Sequence, residues 1–113
     1  MRDFPQVIKN LPEAELPFKG VKAWFIQGEK HQLVFFEMEA NALVPEHSHD
    51  YDQWGIVVEG RMELTFSGNS RIFVKGDDYL IPAKAKHSAK FLTRVRVIDF
   101  FSEKNRYKPK VIK

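Results

Sequence analysis

The chain has 113 residues, 43% hydrophobic and 29% charged. That is the size and mix of one globular domain, and it excludes a multi-domain enzyme, a collagenous chain and a disordered tail. Cysteine is absent, so disulfides, thiolate metal sites, iron–sulfur clusters and cysteine nucleophiles are excluded too. The net charge of +3 comes from 18 basic and 15 acidic residues, and Lys104, Arg106, Lys108, Lys110 and Lys113 crowd the C-terminus. They read as a solvated basic tail with only Tyr107 beside them, so nucleic-acid binding is not expected.

Residues 1–20 contain Pro5, Pro12 and Pro17, which predicts an extended arm or edge strand rather than a helix. This arm is followed by one domain over residues 21–113. The N-terminus lacks the apolar stretch of a signal peptide, and no apolar run approaches the ~20 residues of a membrane span. A soluble, cytoplasmic protein is expected.

From residue 21 on, the pattern is short and close to period two. "LVFFEME" at 33–39 reads as a strand, and "GIVVEGRMELTF" at 55–66 as a half-buried one, with Met62, Leu64 and Phe66 alternating with polar neighbours. "SGNS" at 67–70 is a hairpin turn, "RIFV" pairs back and "KGDD" at 75–78 turns again. "YLIPA" and "RVRVIDFF" add two more strands. Strands this short, with turns roughly every eight to twelve residues, predict an all-β sandwich or barrel.

In the last strand, placing Val95 and Val97 inside also turns Asp99 and Phe101 inward, with Arg94 and Arg96 outside. The opposite phase would bury two arginines. Asp99 is then a carboxylate in an apolar interior. It acts as a general acid/base, accepts an N–H that orients another group, or pairs with an arginine.

Of the four histidines, His47 and His49 form an H-x-H pair. On a strand such residues share a face about 6.5 Å apart and can converge on one metal ion. A third ligand must come from another strand, and His87 is the candidate. His31, beside Glu29 and Lys30 in a turn, reads as an exposed histidine outside the set.

"HSHDYDQWGIVVEG" and "GDDYLIPAKAKH" resemble the two motifs of the cupin superfamily. The first motif runs H-x-H, a short spacer, an acid, six residues and Gly. The second runs Gly, five residues, Pro, and His five residues later. The resemblance covers about residues 33–101 and implies an all-β cupin double-stranded β-helix, a jelly-roll barrel. It carries the metal-ligand positions onto His47, His49, Gln53 and His87, for one divalent ion among Zn, Ni, Fe, Mn and Co.

Three positions depart from the family pattern: Gln53 stands for Glu, Lys84 for Gly and Phe91 for Asn. Three imidazoles and an amide are all neutral, so the ion would keep its full charge as a Lewis acid. That favours anionic oxygens and disfavours ferric iron.

The HSH-x3-Gln pattern with a final-strand Asp-x-Phe is similar to small cupins of pectin and alginate breakdown, which linearise 4,5-unsaturated monouronates. This similarity implies Asp99 and Arg106 as catalytic residues and Phe101 as a substrate contact, Arg106 standing one residue further along than the pattern. Tyr51, between the histidines and Gln53, is expected at the pocket mouth as a substrate-binding residue, with a rim or dimer-contact role as the alternative. Trp54 should point outward, against a second subunit or the N-terminal arm.

The expected function is metal-dependent isomerisation or proton transfer on a small sugar acid or related oxo/hydroxy acid. The alternatives are a three-histidine iron or manganese dioxygenase and a non-catalytic small-molecule-binding module. The expected partners are an anionic small molecule and a second copy of the chain.

Overall fold

The computed structural model describes residues 2–111. Among the described residues, nine strands follow one helical turn: α1 (Gln6–Lys9), β1 (Val21–Gln27), β2 (Gln32–Met38), β3 (Leu43–His47), β4 (Gln53–Glu59), β5 (Arg61–Phe66), β6 (Asn69–Val74), β7 (Asp78–Ile81), β8 (His87–Phe91) and β9 (Val95–Phe101). One antiparallel sheet has the order β1-β2-β9-β4-β7 and the other β3-β8-β5-β6, a jelly roll. Their inner faces enclose a core that includes Val34, Phe36, Met62, Leu64, Phe91, Val97 and Phe101. Each such side chain stabilises the fold by about 1.5–3 kcal/mol.

The alternation in β9 holds. Val95, Val97, Asp99 and Phe101 are buried, and the residues between them are half-buried. The expected single strand over 55–66 is instead two strands in different sheets. The break falls at Gly60, at φ 96°. A Cβ there would lie 2.2 Å from the Arg94 carbonyl oxygen, so only glycine lets the chain cross between sheets at this point. The 67–70 turn tightens to Ser67-Gly68, both at positive φ, with Asn69 already in β6.

Two segments at the ends of the chain also differ from expectation. Gln6–Lys9 form a helical turn after Pro5, because proline is tolerated at a helix start. The arm packs on the barrel: Phe4 and Ala14 are buried, and Pro12 O accepts from Phe25 N at 3.1 Å. The basic C-terminal segment is not a free solvated tail either. Glu15 N donates to Lys108 O at 2.9 Å and Lys110 N to Glu13 O at 2.7 Å. Lys113 lies outside the described residues.

Trp54 does point outward, and it remains 43% exposed. The arm lies elsewhere, with Phe4 against Phe35. No helix among the described residues is long and apolar enough to cross a membrane.

Candidate metal centre

His47 ends β3 and His87 begins β8, and the two are direct partners across that strand pair. Between the pairs Val44–Ala89 and His47–His87, β3 carries one residue more than β8. This bulge re-aims the strand end, and Pro45, which has no N–H to give a ladder, sits inside it. His49 lies beyond the strand, in the loop to β4, so loop geometry rather than strand alternation aims it.

That loop is pinned by three hydrogen bonds. Lys84 N donates to His49 O at 2.6 Å, Ser102 N to Asp52 O at 3.1 Å, and Ala83 N to Asp52 Oδ1 at 2.9 Å. Lys84, where the motif has glycine, adopts φ 71°, a left-handed conformation that is strained for a residue bearing a Cβ.

Each imidazole is oriented by a main-chain carbonyl. His47 Nδ1 lies 2.9 Å from Pro45 O, His49 Nδ1 2.8 Å from Tyr51 O and His87 Nδ1 2.9 Å from Ala85 O. A carbonyl can only accept, so each Nδ1 carries the proton, and in the neutral ring each Nε2 offers a bare lone pair. Burial lowers the pKa of His47 and takes that of His87 down to about 4, which favours neutral rings.

One ligand atom from each of the three rings lies within 4.8 Å of the others. Gln53 Oε1 stands 3.0 Å from His49 Nε2, two acceptors face to face that need a cation or proton between them. His87 Nε2 is buried with no partner among the described residues. An orphaned lone pair beside opposed acceptors, in an imidazole and amide set, fits a divalent transition metal.

Beside this cluster, Asp99 is 4% exposed. Its Oδ2 accepts from Gln53 Nε2 at 2.9 Å and its Oδ1 from the Tyr79 hydroxyl. Burial raises its pKa to about 7, against the lowering effect of those two hydrogen bonds. Its partners are neutral groups rather than an arginine. Tyr79, Gly55 and Asp99 form one cross-strand row over β7, β4 and β9. A Cβ on Gly55 would fall 1.9 Å from Asp99 Oδ1 and 2.4 Å from the Tyr79 hydroxyl oxygen. The missing side chain is what lets the tyrosine reach the carboxylate.

Arg106 follows β9 on a segment that folds back over the cavity. Fully buried Gln32 holds that segment, since its Nε2 donates to Tyr107 O at 2.9 Å and its Oε1 accepts from Tyr107 N at 2.9 Å. The guanidinium lies over the rings of Tyr107 and Phe101. Its Nη2 is 3.5 Å from His47 Nε2, and its Nε is buried without a partner among the described residues.

Phe101, 1% exposed, lines the cavity together with His47, Gln53, His87, Asp99 and Arg106. Tyr51 is not one of the lining residues. It stacks on His49 with ring centroids 4.3 Å apart and planes 5° from parallel, bracing that ligand from behind. His31 stays outside the cluster, exposed, with its ring 4.9 Å from that of Phe100.

Gln32, Gly55, Tyr79 and Tyr107 complete the site without having been singled out in the sequence. A glycine inside the strand pattern two residues after Gln53 was a legible signal for close approach. The phase of "YLI", with Ile81 inward, would have placed Tyr79 inside. Nothing local marks Gln32 or Tyr107.

Residues 34–101 match the family model described as "Cupin domain". KdgF from Halomonas sp. is similar in structure, with a TM-score of 0.74 and 27% identity over 80% of this chain and 86% of that one. An RmlC-like cupin from Shewanella frigidimarina gives a TM-score of 0.79 at 22% identity, covering 87% of this chain and 88% of that one. A salicylate 1,2-dioxygenase from Pseudoaminobacter salicylatoxidans shares the fold at 18% identity and a TM-score of 0.70, over 74% of this chain and 26% of that one. No curated protein sequence matches the chain.

Proposed function

The chain belongs to the cupin family, and from that premise we propose that it is a metal-dependent enzyme that moves a proton within a small oxo or hydroxy acid, sugar acids included. The observation that carries this reading is the contact between Gln53 and Asp99, which sets an acid/base group directly beside the candidate ligands. Likeness to KdgF and the resemblance of the HSH-x3-Gln and Asp-x-Phe patterns to uronate-linearising cupins point the same way.

His47, His49, Gln53 and His87 would hold the divalent ion, which when bound supplies a positive charge that polarises a substrate oxygen. Arg106, whose Nη2 lies beside His47 and whose buried Nε has no partner among the described residues, binds the substrate carboxylate. Phe101 walls the cavity behind it. Asp99, with a pKa near 7, takes a proton from the carbon next to the substrate carbonyl and returns it to the carbonyl oxygen or the neighbouring carbon. The product is an isomer, with no atom gained or lost. The neutral ligand set counts against the dioxygenase alternative, because ferric iron is better stabilised with an anionic ligand.

Metal analysis of the full chain and turnover of Asp99→Asn test this reading. The expected result is about one ion per chain, lost in His87→Ala but kept in Asp99→Asn, and abolished turnover in Asp99→Asn. A chain without stoichiometric metal, or an Asp99→Asn variant as active as the parent, would overturn it.

The homodimer is part of the same reading. Ile26, Leu33, Phe100, Trp54 and Leu80 form one apolar row across all five strands of the larger sheet. Ile26, Trp54 and Leu80 stand at 46%, 43% and 56% exposure. A continuous apolar row of this kind suits a second copy of the chain.

A further inference from the structure

Most polar groups of the cavity already have a partner within the chain. The three Nδ1–H groups are bound to main-chain carbonyls. Each Asp99 oxygen accepts one hydrogen bond, Oδ2 from an amide N–H of Gln53 and Oδ1 from Tyr79, which leaves the carboxylate a lone pair for the substrate proton but no donor for a hydroxyl oxygen. What remains is the ligand face of His47, His87 and Gln53, the buried Nε of Arg106, whose guanidinium is otherwise hydrogen-bonded to Tyr107 and Tyr51, and the Ser88 side chain. The other lining residues, Phe36, Met62, Leu64, Phe91 and Val97 among them, are apolar. The cavity, partly open to solvent, has a volume of about 70 Å³, small beside the roughly 300–1,000 Å³ of sites for drug-sized ligands.

A ligand placed here can satisfy a carboxylate and one adjacent oxygen, at Arg106 and the ligand face. Its remaining atoms meet hydrocarbon. Each further hydroxyl would be stripped of water and left with few partners, and a buried hydroxyl without a hydrogen bond is unfavourable. We propose that the substrate is a short-chain 2-oxo or 2-hydroxy carboxylate with an apolar tail, rather than a polyhydroxylated sugar acid. This rests on the function proposed above and narrows it.

Calorimetric binding to the full chain loaded with a divalent ion, with 3-methyl-2-oxobutanoate and galacturonate as probes, tests the proposal without relying on turnover. The branched oxo acid is expected to bind at least tenfold more tightly than galacturonate. Its affinity should drop at least tenfold in Arg106→Gln and several-fold in Leu64→Ser, with each variant confirmed as folded and metal-loaded. Equal or tighter binding of galacturonate would overturn the apolar-tail proposal and leave the acid-binding site standing. Failure of both anions to bind a metal-loaded chain would overturn both.

Discussion

Gln53 and Asp99 lie 46 positions apart in sequence, yet the amide Nε2 donates to the carboxylate at 2.9 Å. The other end of the same amide, Oε1, faces His49 Nε2. The amide therefore has a defined orientation, oxygen toward the imidazoles and nitrogen toward the acid. A glutamate could not fill both roles, since an ionised carboxylate only accepts and would confront Asp99 with a like charge. The neutral amide at position 53 and the carboxylate of Asp99 are thus chemically matched.

Gln53→Glu is expected to keep the metal while lowering turnover at neutral pH by about tenfold or more, since a like charge readily shifts an acid by over one pH unit. Metal content and the pH–rate profile of the variant check this, with the Asp99 limb moving upward. An unmoved limb would contradict the coupling. Tyr79→Phe removes the other donor and should destabilise the fold by about 1–3 kcal/mol, measured by denaturant unfolding.

Gly55→Ala places a methyl group where the Tyr79–Asp99 hydrogen bond passes. The expected loss is about 1–3 kcal/mol or more of stability, together with the site. Tyr79→Phe combined with Gly55→Ala relieves part of that clash, so the double variant should be more stable than the two single losses added together. Simple additivity would show that the two residues do not compete for this space.

The arm gives a pH signature. The Arg94 and Lys9 side chains, both hydrogen-bonded to Asp3, lower its pKa from 3.8 to about 2. A depressed folded pKa means that the unfolded chain binds the proton more readily between those values, so stability rises with pH across that window. The advantage of the parent over Asp3→Asn should be complete above the unfolded pKa and vanish as pH falls to about 2. It should be small, because the pair is exposed. Paired melting curves from pH 2 to 6 measure it, and a difference that grows toward acid would contradict the assignment.

The apolar row on the outer sheet face predicts a dimer. Trp54→Lys with Leu80→Lys should sediment as a monomer while the parent sediments as a dimer. Both residues are exposed, so the substitutions should change the chain's intrinsic unfolding by no more than about 0.5 kcal/mol each. A monomeric parent would remove this reading.

The sequence alone determined the all-β architecture, the inward phase of β9 and the three-histidine set. Alternation with period two is written locally, and the three histidines stand at motif spacings legible along the chain, although His49 is aimed by a loop rather than by the strand the spacing suggested. The tertiary structure decided the rest. Whether residues 55–66 run straight or cross between sheets depended on the Arg94 carbonyl beside Gly60. Whether the basic segment floats or closes the cavity depended on Gln32, 75 positions before the Tyr107 it holds. The Tyr79–Asp99 contact depended on Gly55 lying between them in register. These are pairings between distant strands, and a pattern read along one strand carries no information about which neighbour it will meet.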